Sequence, residues 1–197
     1  MVSLLLMGLV MTGCGDSNAK KDDIGLKGEV QTQTEEKDAA GDAESTTEAE
    51  PYVLTFSGTT LEGETLTSEC LADSKLTMVN VWATFCGPCI NEMPDLGELA
   101  EEYDKADFQL IGIISDVIEG NEGDTFTEAQ EIIGETGADY THLMLNEELY
   151  MNLVGASDSV PTTYFFNNKG ELLGYLVGAQ SKEGWKQIID ELLAGME

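Results

Sequence analysis

The stretch Trp82-Ala-Thr-Phe-Cys86-Gly-Pro-Cys89 places two thiols three positions apart, where an apolar run gives way to a helical pattern. At a helix start the unpaired backbone N–H groups and the positive end of the helix dipole favour an anion, so Cys86 is where a thiolate is best held. Cys89 follows within the first turn, close enough to close a disulfide. The predicted chemistry is exchange. The Cys86 thiolate attacks a substrate disulfide, a mixed disulfide forms, and Cys89 attacks Cys86 to release the reduced substrate. Pro88 sits in the first turn, where its missing N–H would have been unpaired anyway and its fixed φ stiffens the loop. Structural zinc needs four ligands. There is no second cysteine pair of this spacing and His142 is alone, so no metal is expected, and two sulfurs that carry both electrons call for no cofactor.

The elements that must position this pair follow from periodicity. Leu76 to Trp82 reads as a buried strand and Gly87 to Tyr103 as the helix it feeds. Phe108 to Ile114 is a second buried strand, and Thr125 to Gly137 a helix with Phe126, Ala129, Ile132 and Ile133 on one face. A strand is predicted at Thr141 to Leu145, a short helix near Glu147 to Val154, and strands at Thr162 to Phe166 and Leu172 to Val177. A closing helix over Lys182 to Ala194 carries Trp185, Ile188, Ile189, Leu192 and Leu193 at helical spacing. Tyr52 to Phe56 and Thr59 to Leu66 alternate as a hairpin, and the last two strands join antiparallel through Asn167-Asn168-Lys169-Gly170. Strands alternating with helices predict an α/β layer fold.

From about Leu54 to the C-terminus, and most strongly over residues 79 to 94, the sequence resembles the thioredoxin superfamily, in particular the membrane-anchored thiol-disulfide oxidoreductases of the TlpA/ResA kind. The resemblance implies a thioredoxin-like fold: a central mixed β-sheet flanked by helices, with an N-terminal β-hairpin and a central strand-helix insertion around Asp116 to Tyr140. It also implies a cis-proline loop facing the disulfide, for which Val160-Pro161-Thr162-Thr163 fits, with the Val160 backbone free to pair with an extended substrate. Thioredoxins proper carry a buried Asp where this chain has Asn80, which cannot accept a proton. Glu92, one turn after Cys89, matches a Glu of the ResA-like proteins and is the candidate general base. Trp82 keeps its family position and Phe85 stands where Trp is usual. These two aromatics, with Gly87 and Pro88, form the surface offered to substrate, and Pro94 matches the superfamily's helix kink.

Residues 1 to 13 carry no charge and are too short to span a bilayer core, which needs about 20 apolar residues. They fit the apolar core of a secretory signal, and Met11-Thr12-Gly13-Cys14 resembles a lipoprotein lipobox, with Cys14 as the lipidated residue. The positive region usual in export signals is missing, which points to a start upstream. Residues 14 to 51 hold too little apolar area to offset ordering entropy and read as a disordered acidic tether, with a span of roughly 30–40 Å. Residues 52 to 197 form the thioredoxin-like domain. The expected place is therefore the extracytoplasmic face of a bacterial membrane, lipid-anchored. The expected partners are disulfide-containing exported proteins, with apocytochrome c and methionine sulfoxide reductase as the family's candidates, and a membrane thiol electron donor of the CcdA/DsbD type.

The whole chain of 197 residues carries 38 acidic residues against 9 lysines, no arginine, and a formal charge of −29. That excludes nucleic-acid binding through a basic surface. The lack of arginine also disfavours a peroxiredoxin, which sets an Arg beside its reactive Cys. Two other readings stand beside the reductase: a disulfide-donating oxidase of exported proteins, and a non-catalytic thioredoxin-like binding lipoprotein. Cys70 reads as a small apolar side chain, and His142 as structural or exposed.

Overall fold

The structure is a computed structural model that describes residues 51–121 and 123–196. The signal segment, Cys14 and nearly all of the tether lie outside the described residues. The chain runs β1 (Ser57–Thr59), β2 (Thr65–Thr67), a 3-10 helix (Ser68–Asp73), β3 (Leu76–Trp82), α1 (Gly87–Glu102), β4 (Phe108–Ile118), α2 (Asp124–Thr136), β5 (Thr141–Leu145), α3 (Glu147–Asn152), a 3-10 turn (Val154–Ala156), β6 (Thr162–Asn167), β7 (Leu172–Val177) and α4 (Lys182–Ala194).

A five-stranded sheet has the order β5-β4-β3-β6-β7. β3 pairs in parallel with β4 and antiparallel with β6, β4 in parallel with β5, and β6 antiparallel with β7. β3 is central and buried at all seven positions, which is why its sequence shows an apolar run instead of alternation. Its residues still face two ways. Val79 and Val81 join Ile111, Ile113, Leu143, Tyr164 and Phe166 in one core with Leu54, Phe56 and α3's Leu149. Met78 and Trp82 face the opposite side, beneath α1, where Met93, Leu96, Leu99, Trp185 and Ile189 close the layer.

The N-terminal hairpin is shorter than its alternation predicts, because Tyr52 to Leu54 go elsewhere. They bridge the edge strand, with Leu172 N–H donating to Tyr52 O and Leu54 N–H to Gly170 O. β4 runs four residues past the predicted Ile114, through a register shift that turns Ser115 and Asp116 out of the ladder. The β6–β7 turn closes on Gly170, whose φ of 75° suits a residue without a side chain.

Candidate active site

β3 ends at Trp82, and the four residues to Cys86 make the turn into α1. The turn is tied from two sides: Cys86 N–H donates to Ala83 O, and the Asp116 carboxylate accepts from Thr84 N–H at 3.1 Å and from its hydroxyl at 2.6 Å. Ser115 Oγ donates to Trp82 O at 3.0 Å. The β4 extension thus fixes the loop before the cysteines, a role that no sequence feature of Asp116 announces.

Cys86 is the N-cap of α1, and Pro88 stands in the first turn. The Cys89 N–H donates to Cys86 Sγ at 3.2 Å, so one of the orphan amides of the helix start already points at that sulfur. The two sulfurs are joined in a disulfide, with Cα atoms 5.3 Å apart. Cys86 is 6% exposed and Cys89 1%, which makes Cys86 the sulfur an outside reactant meets first. Beside them Phe85 is 77% exposed, Gly87 and Pro88 are exposed, and Trp82 is buried in the same apolar cluster as the two cysteines.

The Val160–Pro161 peptide bond is cis. Val160 packs against the cluster that holds Trp82, Cys86 and Cys89. It also borders a groove of about 270 Å³ lined by Phe85, Ser115, Val154, Asp158 and Tyr164. The structure therefore brings the two cysteines, both aromatics and the proline loop to one end of the sheet.

Glu92 lies one turn beyond Cys89 and is buried. Its Oε2 accepts from Gln180 N–H at 3.0 Å and Trp185 Nε1–H at 3.1 Å, while Oε1 accepts from Asn80 Nδ2–H at 3.3 Å. Burial pushes the carboxyl above its ordinary range. The three donors pull the other way, and the charge of Asp95 adds to the rise. Trp185 and Gln180 were legible only as part of the final helix and the loop before it, since they meet Glu92 across about ninety residues of chain.

His142 is buried, not exposed. Its Nε2 contacts Ala138 O at 2.9 Å and its Nδ1 accepts from Trp82 Nε1–H at 3.2 Å, so the ring is a neutral tautomer that anchors the indole under the cysteines. Burial lowers its pKa to about 4. The ring fits because its neighbour on β4 is Gly112: a Cβ there would lie 2.2 Å from Nδ1. Cys70 is unbonded and packs with the core on the other face of the sheet. Burial, with the charge of Asp73, pushes its thiol up to about 11, so it is protonated and away from the disulfide. Among the described residues no group of three or more His, Cys, Asp or Glu is arranged to hold a metal ion.

The family model described as "AhpC/TSA family" matches residues 51–173. "Thiol:disulfide interchange protein HelX" of Rhodobacter capsulatus is 31% identical over 125 residues, 64% of this chain and 65% of that protein. "Thiol-disulfide oxidoreductase ResA" of Geobacillus thermodenitrificans is 24% identical over 118 residues, 60% and 63% of the respective lengths. The chain thus spans just under two thirds of these relatives. A crystal structure of a thiol:disulfide interchange protein of the thioredoxin family, from Chlorobium tepidum, superposes with a TM-score of 0.63 at 26% identity, over 75% of this chain and 99% of that one.

Proposed function

The chain belongs to the AhpC/TSA family, and on that premise we propose that it is an extracytoplasmic thiol-disulfide oxidoreductase that reduces protein disulfides through Cys86 and Cys89. The observation that carries this reading is the disulfide between a helix-capping Cys86 and a more deeply buried Cys89. A pair of this kind, in a chain without arginine, favours disulfide over peroxide chemistry.

The cycle that this reading implies has two steps. In the dithiol form the Cys86 thiolate, held by the Cys89 N–H and the helix start, attacks one sulfur of a substrate disulfide. The Cys86–substrate bond forms, the substrate S–S bond breaks, and one substrate thiolate leaves. Cys89 then gives its proton to Glu92 and attacks Cys86 Sγ. The Cys86–Cys89 bond forms, the Cys86–substrate bond breaks, and the second substrate sulfur leaves, taking up the proton that Glu92 held. The structure holds the product of that step. Val160, Pro161 and Phe85, with Gly87 and Pro88, present the surface along which an extended substrate segment lies.

Anchoring rests on the sequence alone: residues 1–13 as a signal, Cys14 as the lipidated residue, and the acidic stretch to residue 51 as a tether for the domain at 52–197. Among the described residues no helix is long and apolar enough to cross a membrane. Disulfide-containing exported proteins are the substrates, and a membrane thiol carrier of the CcdA/DsbD type re-reduces the pair. Apocytochrome c and methionine sulfoxide reductase are the first substrates to try.

Purified protein should reduce the disulfides of insulin, and Cys86→Ser should abolish this. Cys89→Ser should accumulate mixed disulfides on Cys86, whose partners identify the substrates. Insulin reduction that survives Cys86→Ser would overturn the assignment. Cys14→Ser should release the protein from the membrane fraction.

A further inference from the structure

Among the described residues, two buried side-chain polar atoms have no partner: Asn80 Oδ1 and the Tyr140 hydroxyl. Both belong to the surroundings of Glu92. Asn80 donates to it, and the Glu92 charge, after burial, holds the Tyr140 phenol above its ordinary range. A buried acceptor left unpaired is costly, and a native structure that keeps one needs a reason.

The placement of Asn80 supplies the reason. It lies on the α1 face of β3 between Met78 and Trp82, level with Thr163 on β6 and Gly112 on β4. Its Nδ2 donates both to Glu92 Oε1 and to Thr163 Oγ1, the latter at 3.0 Å. The two oxygens of Glu92 are unequal. Oε2 has two fixed donors, Gln180 N–H and Trp185 Nε1–H, whereas Oε1 has only Asn80. A proton arriving on this carboxyl is therefore best placed on Oε1, opposite the amide.

A charged carboxylate only accepts, so it needs the NH2 end of the amide. A protonated one donates through Oε1–H and needs the carbonyl end. Thr163 suits both, because a hydroxyl can accept from Nδ2 or donate to Oδ1. Each of the two amide orientations thus bonds both neighbours in one protonation state of Glu92.

We propose that Asn80 is a positioning residue whose side-chain amide turns over with the proton on Glu92. The NH2 end faces the carboxylate while it is charged, and the oxygen faces it once it holds the proton taken from Cys89. The proton leaves Cys89 Sγ, arrives at Glu92 Oε1 and passes on to the departing substrate sulfur, so the disulfide form holds Glu92 charged, with the NH2 end of Asn80 facing it. The other titratable groups facing this carboxyl are Asp95 on α1 and Tyr140 before β5. β6 and α4 contribute Thr163 and Trp185, which do not titrate. The inference rests on Glu92 as the proton acceptor.

The test is nuclear magnetic resonance on the full chain, following the Asn80 side-chain amide and the Glu92 carboxyl carbon against pH in the disulfide and dithiol forms. The Asn80 signals should move with the same midpoint as Glu92, and should become independent of pH in Glu92→Gln. Asn80→Leu, which can neither donate nor accept, should move the Glu92 midpoint by about one pH unit, a tenfold change in proton affinity. Asn80 signals that stay flat through the Glu92 titration, or that still move in Glu92→Gln, overturn the proposal. If Glu92→Gln leaves the pH profile of resolution by Cys89 unchanged, Glu92 itself loses its role. If that profile changes while Asn80 stays flat, only the turnover of the amide is refuted.

Discussion

Cys86 and Cys89 share one chemistry and differ in what surrounds them. The amide aimed at Cys86 favours its thiolate, while the acidic surroundings oppose any anion there, so the two effects partly cancel. Glu92→Gln should slow resolution of a Cys86 mixed disulfide on the order of 100-fold and flatten its pH dependence, read by quenched kinetics. His142 has its own signature. Its pKa falls from the ordinary 6.5 to about 4, so between those values the unfolded chain binds a proton that the folded chain refuses. Stability held above pH 6.5 is lost progressively on acidification and fully lost below pH 4, by about 3 kcal/mol. His142→Gln, which keeps a donor and an acceptor without titrating, should remove that slope from denaturant unfolding curves. At this scale the sequence disclosed the CxxC pair, whose chemistry is local. It hid the partners of Glu92 and the anchoring of Trp82 by His142, because those contacts join distant parts of the chain and leave no periodic trace.

Helices and strands set the spacing beneath the site. Helix α1 crosses the end of α2 so closely that a Cβ on Gly97 would lie 2.5 Å from Gly137 O, a backbone atom that cannot swing aside. Gly97→Ala should therefore lower stability by about 1–3 kcal/mol. Gly134→Ala, inside α2 with nothing within 4 Å of the added atom, should raise it by about 0.5–1 kcal/mol through helix propensity. Thermal unfolding of both variants checks the pair, and equal shifts would refute the contact. Most elements were readable because their residues keep one period throughout: β3, β5, β7 and α4 fall where the pattern puts them. The extension of β4 past Ile114 was not, since Ser115 and Asp116 interrupt the apolar run for the sake of the loop at Thr84. The 3-10 helix at Ser68–Asp73 is likewise too short to show a period of its own.

Across the whole domain the charge is segregated. Residues 52–197 hold 27 acids and five lysines. Lys75, Lys105 and Lys169 lie before β3, before β4 and in the β6–β7 turn, at the sheet end opposite the disulfide. Lys182 is paired with Glu98 and Glu102, and Lys186 with Glu102. None of the five borders the groove beside Phe85, which includes Asp158. A lysine-rich disulfide peptide should be reduced at least tenfold faster than a glutamate-rich one at low ionic strength, and added salt should close the gap. Equal rates at low salt would refute the steering. The account as a whole depends on the Cys86–Cys89 bond opening and closing in use. Its most direct test is an equilibrium redox titration of the purified protein, read by thiol alkylation. We predict one two-electron transition, nearer the roughly −270 mV of a thioredoxin-like reductant than the roughly −120 mV of a strong oxidant; a pair that stays bonded, or stays open, across that whole range would contradict it.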